Sequence, residues 1–512
     1  MDLPIGAGPI CVLILALASS SEPCLAADYP SVDTGQDRCY NNTHEIRYPT
    51  PGDAFFGQDA QYRGAGPSYR DNGDGTVTDL VTGLMWQKDP GPKKAFRQAL
   101  AGARACRLGG HRDWRLPSIK ELYSLIVFSG VDPDPRSMGS PELRPFVDTD
   151  YFVFRYGDAS RNERIIDSQY ASATKYVSTT MHGDETVFGV NFADGRIKGY
   201  GLRAPHGRGE KTFYVMYVRG NPDYGKNRFR DNGDGTVTDR ATGLSWMKGD
   251  SGHLRAGQNK DGRLSWEQAL AWAERLEYAG HSDWRLPNVK ELQSIVDYTR
   301  SPATSGSPAI DPVFDVTAIT DEAGHKDYPF YWSSTTHARL GSGEAAAYVA
   351  FGRSPGWMPD FRRGYSFLDV HGAGSQRSDP KAGDPRQFPR GRGPQGDVIR
   401  IYNFARAVRS GQATPRTSGP ELETVMPQLG RPGPGMGPSQ GKDPGSVPPF
   451  VPRLDRNRDG KVSRSEFDGP AHHFDRLDRD HDGYLSEDEA PPPPPPGNRP
   501  GRRRPGGPPG RQ

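Results

Sequence analysis

Cysteine is scarce in this sequence, and that scarcity limits the chemistry the chain can perform. Four cysteines occur in 512 residues, and only Cys39 and Cys106 lie beyond residue 27. So few cysteines argue against a cysteine-based zinc site. In an oxidising compartment the two can form one disulfide, and two separate buried thiols are the alternative. The sequence leaves both alternatives open.

Long apolar runs and a large excess of one charge are also missing. No apolar stretch reaches the roughly 18 residues that a membrane-spanning helix needs, so we predict no transmembrane span. The formal net charge of +2 is too small to indicate a nucleic-acid partner. Hydrophobic residues make up only 34% of the chain, and 63 glycines and 48 prolines explain that deficit.

The first 27 residues are typical of a secretory signal peptide. A short apolar run covers residues 10–18, and Leu25-Ala26-Ala27 offers small residues at a cleavage site. The acidic Asp2 and the lack of Lys or Arg at the start depart from the usual basic beginning. We predict cleavage of residues 1–27 and an extracytoplasmic protein, whether periplasmic, on the cell surface or secreted.

One long stretch occurs twice and organises most of the chain. It opens with Asp-Asn-Gly-Asp-Gly-Thr-Val-Thr-Asp at 71–79 and again at 231–239. Each copy continues through Thr-Gly-Leu, Asp-Trp-Arg-Leu-Pro and Lys-Glu-Leu. The copies begin 160 residues apart, from 71 to 231, which is the size of a domain and too long for a solenoid unit. We therefore predict two tandem domains, at 28–220 and 221–410.

The opening motif predicts a β-hairpin, because Asn-Gly and Asp-Gly favour tight turns and Thr-Val-Thr favours a strand. A calcium loop is the alternative. It fails the EF-hand template, since Arg70 and Val81 would occupy positions 1 and 12, where anionic ligands are needed. Further strands are predicted at 187–192, 213–218, 331–336, 347–351 and 397–402, with a long polar loop at 372–395.

Two helix starts share one mechanism with different residues. Ser118 and Glu121 fit the N-cap and third positions of a capping box, and Asn288 and Glu291 fit the same positions in the second copy. Together with the predicted strands, these helices give each copy an α+β pattern.

The repeated motifs together resemble the Lcl C-terminal domain family, the globular end of a bacterial collagen-like surface protein. The resemblance covers most of residues 39–410 and includes Gly57-Gln-Asp-Ala-Gln-Tyr62 and Tyr331-Trp-Ser-Ser-Thr335. It implies a bacterial extracytoplasmic protein, a C-type-lectin-like fold, and binding to glycans or sulfated polysaccharides. Collagen-type repeats are absent, and so are the Glu-Pro-Asn and Trp-Asn-Asp triplets of calcium-dependent lectins. We carry over no functional residue.

The clearest chemistry follows a segment rich in proline, glycine and serine at 411–450, which we predict to be a disordered linker. Two twelve-residue stretches, 455–466 and 478–489, each match an EF-hand loop. They supply side-chain oxygens at positions 1, 3, 5, 9 and 12 and a backbone carbonyl at position 7, as Ca²⁺ prefers. The predicted ligands are Asp455, Asn457, Asp459, Lys461, Ser463 and Glu466 in loop 1, and Asp478, Asp480, Asp482, Tyr484, Ser486 and Glu489 in loop 2.

The module at 451–490 is small for an EF-hand pair. We predict that Val462 and Leu485 join the loops through a short strand, and that Phe467, Phe474 and Leu477 form the core. So little apolar surface implies that calcium drives folding. Tandem loops also resemble dockerins, which makes a scaffold protein a candidate partner. The Pro- and Arg-rich tail at 491–512 is predicted to be disordered.

The predicted fold class is α+β: two tandem C-type-lectin-like domains, a small α-helical EF-hand pair, and a disordered linker and tail. We predict a calcium-binding extracytoplasmic protein whose lectin-like domains bind surfaces or polysaccharides. One alternative is an enzyme on a lectin-like fold, similar to formylglycine-generating enzymes; another is a purely structural envelope protein. Cys39 and Cys106 lie outside any recognisable reactive motif, and hydrolase and phosphate-loop motifs are missing, so we predict no catalytic residue.

Overall fold

The protein is described here from a computed structural model. It describes residues 27–135, 137, 139, 142–204, 209–360, 364–410, 413–416 and 418–420, and near the C-terminus 461–463, 474, 477–479, 484–486 and 489. The chain divides into two compact units, residues 1–424 and 425–512. The predicted signal peptide, apart from residue 27, the predicted tail and nearly all of the predicted linker lie outside the described residues.

The first repeat and the segment before it contain twelve strands and two helices within the described residues. The strands before the repeat are β1 (Cys39–Tyr40), β2 (Glu45–Ile46) and β3 (Tyr62–Arg63). The elements of the repeat are β4 (Tyr69–Asp71), β5 (Thr76–Asp79), β6 (Met85–Gln87), β7 (Lys94–Ala95), α1 (Phe96–Ala105), α2 (Ile119–Ser124), β8 (Gln169–Thr180), β9 (Asp184–Asn191), β10 (Arg196–Gly201), β11 (Thr212–Phe213) and β12 (Val218–Arg219).

The second repeat follows a similar order and adds two hairpins, β16–β17 before β18 and β20–β21 before its last central strand; among the described residues it has no strand pair that corresponds to β7 and β11. Its elements are β13 (Phe229–Asp231), β14 (Thr236–Asp239), β15 (Leu244–Met247), α3 (Trp266–Glu274), α4 (Val289–Ser294), β16 (Ile319–Thr320), β17 (Lys326–Asp327), β18 (Phe330–Thr336), β19 (Ala345–Ala350), β20 (Pro355–Asp360), β21 (Gly364–Asp369), β22 (Gln376–Pro380), β23 (Val408–Ser410) and β24 (Thr414–Pro415). Short 3-10 turns lie at Asp59–Gln61, Leu108–Gly110, Ala159–Arg161 and Pro385–Gln387.

Both predicted hairpins are confirmed, since β4 pairs with β5 and β13 with β14, each antiparallel. In the first, Asn72 Nδ2 donates to the hydroxyls of Thr76 and Thr78 at 2.9 Å. Asp74 Oδ1 accepts from the Thr76 hydroxyl at 2.5 Å. The corresponding residues of the second hairpin make the same bonds. These polar side chains therefore serve the turn itself.

Both predicted capping boxes are confirmed at the starts of α2 and α4. Glu121 Oε2 accepts from the Ser118 N–H at 2.8 Å, and Ser118 Oγ accepts from the Glu121 N–H at 3.2 Å. Asn288 and Glu291 exchange the same two bonds, both at 2.9 Å. Each box satisfies backbone N–H groups that a helix start leaves free.

The two repeats share one six-stranded antiparallel sheet, in the order β18-β19-β22-β10-β9-β8. They meet where Ile197 of β10 faces Gln376 of β22. Within its own repeat, Ile197 pairs with Val190 and Gln376 pairs with Val349. The two residues thus occupy equivalent places, and an approximate two-fold axis passes between them.

The two faces of this sheet have different surroundings, because side chains alternate along each strand. Ile197, Val190 and Val349 enter the main core, to which α2 and α4 contribute. Neighbouring side chains on the opposite face join two smaller cores, one with α1 and one with α3. The outer face of the central strands β10 and β22 lies between those smaller cores.

The segment before the first repeat bonds to the second repeat. The side-chain amide of Gln36 donates to the Thr336 carbonyl at 2.8 Å and accepts from the Thr336 N–H at 2.9 Å. The Tyr62 hydroxyl donates to Glu274 Oε1 at 2.6 Å, and β3 pairs with β24. The start of the described chain is therefore fixed by contacts about 300 residues away in sequence.

Four sequence predictions need correction. Residues 414 and 415, inside the stretch predicted to be a disordered linker, form β24 and pair with β3. The structure has no strand at 397–402; the small sheet of the second repeat is completed by β23 instead. The predicted loop at 372–395 contains β22. This strand was not predicted because Arg377 and Asp379 break the apolar alternation that is typical of a strand. The strand predicted at 213–218 forms only at its ends, as β11 and β12.

The described residues are mostly β-sheet with few helices, arranged as two tandem domains. Cys39 is buried, Cys106 is partly exposed, and both are free thiols, so the disulfide alternative is not the one observed. The exact boundaries at 220 and 221, the C-type-lectin-like identity and the helices of the EF-hand pair stay predictions.

Candidate functional site

The described residues of the C-terminal unit form the centre of a paired-loop module. Two short strands, β25 (Val462–Ser463) and β26 (Tyr484–Leu485), pair antiparallel. Val462 faces Leu485, which confirms the predicted strand pairing between the eighth positions of the two loops. The pairing joins the two loops directly.

A very small core supports this strand pair. Val462, Phe474 and Leu485 are fully buried, and Leu477 packs against them. Phe474 and Leu477 are two of the three predicted core residues, and Phe467 lies outside the described residues. At about 1.5–3 kcal/mol each, the three fully buried side chains among the described residues contribute roughly 5–9 kcal/mol of hydrophobic stabilisation.

The acidic ends of loop 2 are buried in this module. Asp478 at position 1 and Glu489 at position 12 are each only 5% exposed. Glu489 Oε1 accepts from the Arg479 N–H at 2.6 Å, and Oε2 accepts from the N–H and the hydroxyl of Ser486, both at 2.9 Å. Buried carboxylates are costly unless they are paired or bind a metal. Their burial and their oxygen chemistry fit Ca²⁺.

Six of the twelve predicted ligands lie among the described residues. Lys461 and Tyr484 are exposed, with Lys461 Nζ 5.5 Å from the Tyr484 ring centroid, as expected of residues that would bind through their backbone carbonyls. The others are Ser463, Asp478, Ser486 and Glu489. Asp455, Asn457, Asp459, Glu466, Asp480 and Asp482 lie outside the described residues, so the ligand sets stay a prediction. Across the described part of the chain, no cluster of three or more His, Cys, Asp or Glu side chains is placed to hold a metal.

A second candidate site lies in the N-terminal unit, where the repeats meet. A cleft of about 1130 Å³ opens over β10 and β22. Eight Arg or Lys residues and seven Asp or Glu residues line it. Because these charges nearly cancel, the total charge of the cleft does not indicate its ligand, and the pairing of each group must be considered.

Most of the cleft acids are neutralised by neighbouring cations. Arg196 holds Asp132 through two bonds of 2.9 and 2.7 Å. Burial alone would raise the pKa of Asp132, but the Arg196 guanidinium outweighs it and holds that pKa well below its ordinary value. Lys198 Nζ lies 2.7 Å from Asp194 Oδ2.

Arg377 is only partly neutralised. Its Nη2 donates to Asp397 Oδ2 at 2.5 Å. Its Nε and Nη1 are buried and have no hydrogen-bond partner among the described residues, and the same holds for the hydroxyl of Tyr200. His371 Nε2 lies 2.8 Å from Asp397 Oδ1. Burial, assisted by the Arg377 charge, lowers the pKa of His371 to about 4, so His371 adds no charge at neutral pH.

Lys211 has no carboxylate within ion-pair distance in the part of the chain that the structure describes. Its Nζ lies over the Tyr200 ring, 4.6 Å from the centroid, a favourable cation–π contact. Burial, assisted by the neighbouring cations Lys198 and Arg164 and opposed by Asp167, lowers its pKa to about 8. When it is protonated, Lys211 is therefore a buried cation that forms no ion pair with the described residues.

Sequence reasoning missed the cleft. One signal was present: Arg196, Lys198 and Tyr200 alternate with the core residue Ile197, which indicates a strand with one polar face. Strand β22, which supplies Arg377, gave no such signal, because its residues lack the apolar alternation by which a strand is recognised.

The chain matches two protein-family models. The model of the Lcl C-terminal domain matches residues 75–219 and again 235–374. The EF-hand model matches residues 453–468 and 472–489. Neither is an enzyme family. A search of curated proteins and a search of solved structures each found no match.

Proposed function

Since the chain belongs to the Lcl C-terminal domain family, with two copies of that domain followed by an EF-hand pair, we propose that it is a calcium-binding bacterial surface protein. In this proposal the protein is extracytoplasmic, and its C-type-lectin-like repeats bind glycans or sulfated polysaccharides. The EF-hand pair binds calcium and is a candidate docking site for a scaffold protein.

One observation carries the calcium proposal: Asp478 and Glu489, at positions 1 and 12 of loop 2, are buried beside the small core of the described residues. Their carboxylate oxygens are ligands of the kind that Ca²⁺ prefers. Ser486 orients Glu489 through two bonds to Oε2, which fixes the carboxylate at the last position of the loop. The Val462–Leu485 pairing then couples loop 2 to loop 1. Folding of the module is therefore expected to depend on calcium.

Calorimetry on the full chain tests this proposal. We expect two calcium sites in the wild type and their loss in the double variant Asp455→Ala, Asp478→Ala. The matched control is Asp71→Ala, Asp231→Ala, which removes aspartates from hairpin motifs that pair with Lys88 and Lys248 instead. No heat above a pH-matched buffer titration at millimolar calcium would refute calcium binding.

The surface-binding part rests on membership of the family and on the cleft between the repeats. In the described part of the chain, none of the helices combines the length and apolarity required to span a membrane. A glycan array probed with the full chain tests polysaccharide binding. If no glycan is retained, the repeats are better explained as a structural envelope component.

The enzyme alternative gains no support from the cysteines. Burial raises the pKa of Cys39 to about 12, so its thiol stays protonated at neutral pH and is a poor nucleophile. We therefore propose no catalytic residue. A turnover screen on the purified protein tests this assignment.

A further inference from the structure

We propose that the cleft between the repeats binds a short acidic saccharide through Lys211, Lys198 and Arg377. The anionic group is a carboxylate or a sulfate. This inference rests on the proposed function, because it gives the glycan-binding repeats a binding site and a ligand class.

The three cations come from both repeats, and one of them lies over an aromatic ring. Lys198 and Tyr200 lie on β10, on the opposite face from the core residue Ile197. Arg377 comes from β22, and its charge acts on both Lys198 and Tyr200. Lys211 lies over the Tyr200 ring. Neither repeat alone supplies this arrangement.

The cleft has more hydrogen-bond donors here than its own acids can use. Most of the nearby carboxylate oxygens are already engaged: Asp194 Oδ2 with Lys198, and both oxygens of Asp397 with His371 and Arg377, whereas Asp194 Oδ1 has no hydrogen-bond partner among the described residues. Lys211 has no acidic partner among the described residues, and two nitrogens of Arg377 have no acceptor there. Buried donors without acceptors are unfavourable. An anion that enters the cleft would accept from these groups and reduce their mutual repulsion.

The size of the cleft indicates an organic ligand instead of a single inorganic ion. A volume of about 1130 Å³ slightly exceeds the roughly 300–1,000 Å³ typical of small-molecule pockets. Two or three sugar rings fit in such a volume. The Tyr200 ring and the polar side chains of β10 provide the mixed apolar and polar wall that a saccharide needs.

The inference also predicts a pH dependence. Lys211 is faced by Lys198, Arg164 and Lys93, which disfavour its charge, and by Asp167, which favours it. A bound anion stabilises the charged amine, so binding is favoured when Lys211 is protonated. Because the pKa of Lys211 is about 8, affinity for an acidic ligand should fall between pH 7 and pH 9.

The test is calorimetric titration of the full chain with trigalacturonate, with a heparin-derived disaccharide and with neutral cellotriose. We expect at least one acidic probe to bind, and which of them binds identifies the anionic group as carboxylate or sulfate. Lys211→Met should weaken that binding about tenfold, the effect of removing one charge-assisted hydrogen bond. Lys175→Met is the matched control, because Lys175 also lies over a ring, that of Phe96, but outside the cleft.

A second variant separates loss of charge from loss of fold. Lys211→Arg keeps the cation and stays charged above pH 8, so it should bind with no decline between pH 7 and pH 9. The inference is overturned if cellotriose binds as tightly as the acids, if neither acid binds, or if Lys211→Met binds like the wild type. If the glycan array still shows binding while neither short acid binds, the cleft is not the binding site, but the proposed function stands. A wild type that binds no glycan at all would overturn the proposed function as well.

Discussion

A reciprocal pair of lysines holds the two repeats together, and Lys290 is the better buried of the two, at 5% exposure. Its Nζ donates to the Ser124 carbonyl at the end of α2 at 2.9 Å, and to the Asp33 carbonyl at 3.0 Å. Across the two-fold axis, Lys120 Nζ donates to the Ser294 carbonyl at the end of α4 at 2.6 Å. Each lysine thus neutralises the carbonyl end of the other repeat's helix.

Replacing Lys290 with methionine changes the free energy of unfolding in two opposing ways: it removes the cost of burying a charge, and it removes two stabilising hydrogen bonds. Burial lowers the pKa of Lys290 from 10.5 to about 8, which costs the folded protein about 3 kcal/mol wherever the lysine is charged in both states. The methionine variant does not bear this cost. It loses two charge-assisted hydrogen bonds, worth about 1.5–3 kcal/mol each, and leaves the carbonyls of Asp33 and Ser124 without this donor. We expect a net destabilisation of about 1–3 kcal/mol at pH 7.

The pH dependence isolates the lysine. Since its folded pKa lies below its unfolded pKa, the unfolded chain binds more protons between pH 8 and pH 10.5. Stability from this group therefore rises with pH across that window. The difference in unfolding free energy between the wild type and Lys290→Met should widen by about 1.4 kcal/mol per pH unit there.

Urea unfolding followed by tryptophan fluorescence measures this difference, and all eight tryptophans lie between residues 86 and 357, so the signal reports the N-terminal unit. Lys175→Met is the control, because Lys175 is half exposed in a surface ion pair with Glu185 and should change stability by less than about 1 kcal/mol. A gap that stays constant or narrows from pH 8 to pH 10 would refute the reasoning.

Three further predictions concern other parts of the chain. Ser118→Ala and Asn288→Ala should each cost about 1 kcal/mol in urea unfolding, and Ser118→Thr, which keeps the hydroxyl, should cost less. Asp59→Asn tests a second buried group: burial, with the charge of Asp33, raises the pKa of Asp59 to about 7, so the folded wild type binds the extra proton and should gain stability relative to the variant as pH falls from 7 to 4. Glu489→Gln should weaken calcium binding in loop 2, read by calorimetry, whereas the neighbouring substitution Glu487→Gln should leave it unchanged.

The features that sequence predicted correctly are local ones. A hairpin opened by Asp-Asn-Gly-Asp-Gly depends on turn residues within a few positions, and the bonds of Asn72 and Asp74 stay within that motif. The capping boxes of Ser118 and Asn288 likewise join residues three apart. The pairing of Val462 with Leu485 was predictable because the EF-hand loop fixes position 8 in each copy.

The features that sequence missed depend on contacts between distant segments. Nothing local shows that Ile197 lies beside Gln376, because the two residues belong to different repeats and pair only in the folded sheet. The cleft follows from that pairing, so its residues could not be grouped in advance. The strand that holds Arg377 and Asp379 lacks an apolar alternation, since its outer side chains line a cleft instead of a core.

The bonds between Gln36 and Thr336 have a consequence for how the chain is made. Gln36 finds Thr336 only after some 300 more residues have been synthesised. The first repeat cannot complete the shared sheet alone, and the leading segment, which already bonds to Phe128 of the first repeat through Thr34, completes its contacts only when the second repeat arrives. Contacts this far apart slow folding, so cutting the chain between the repeats should yield two incomplete halves instead of two working ones.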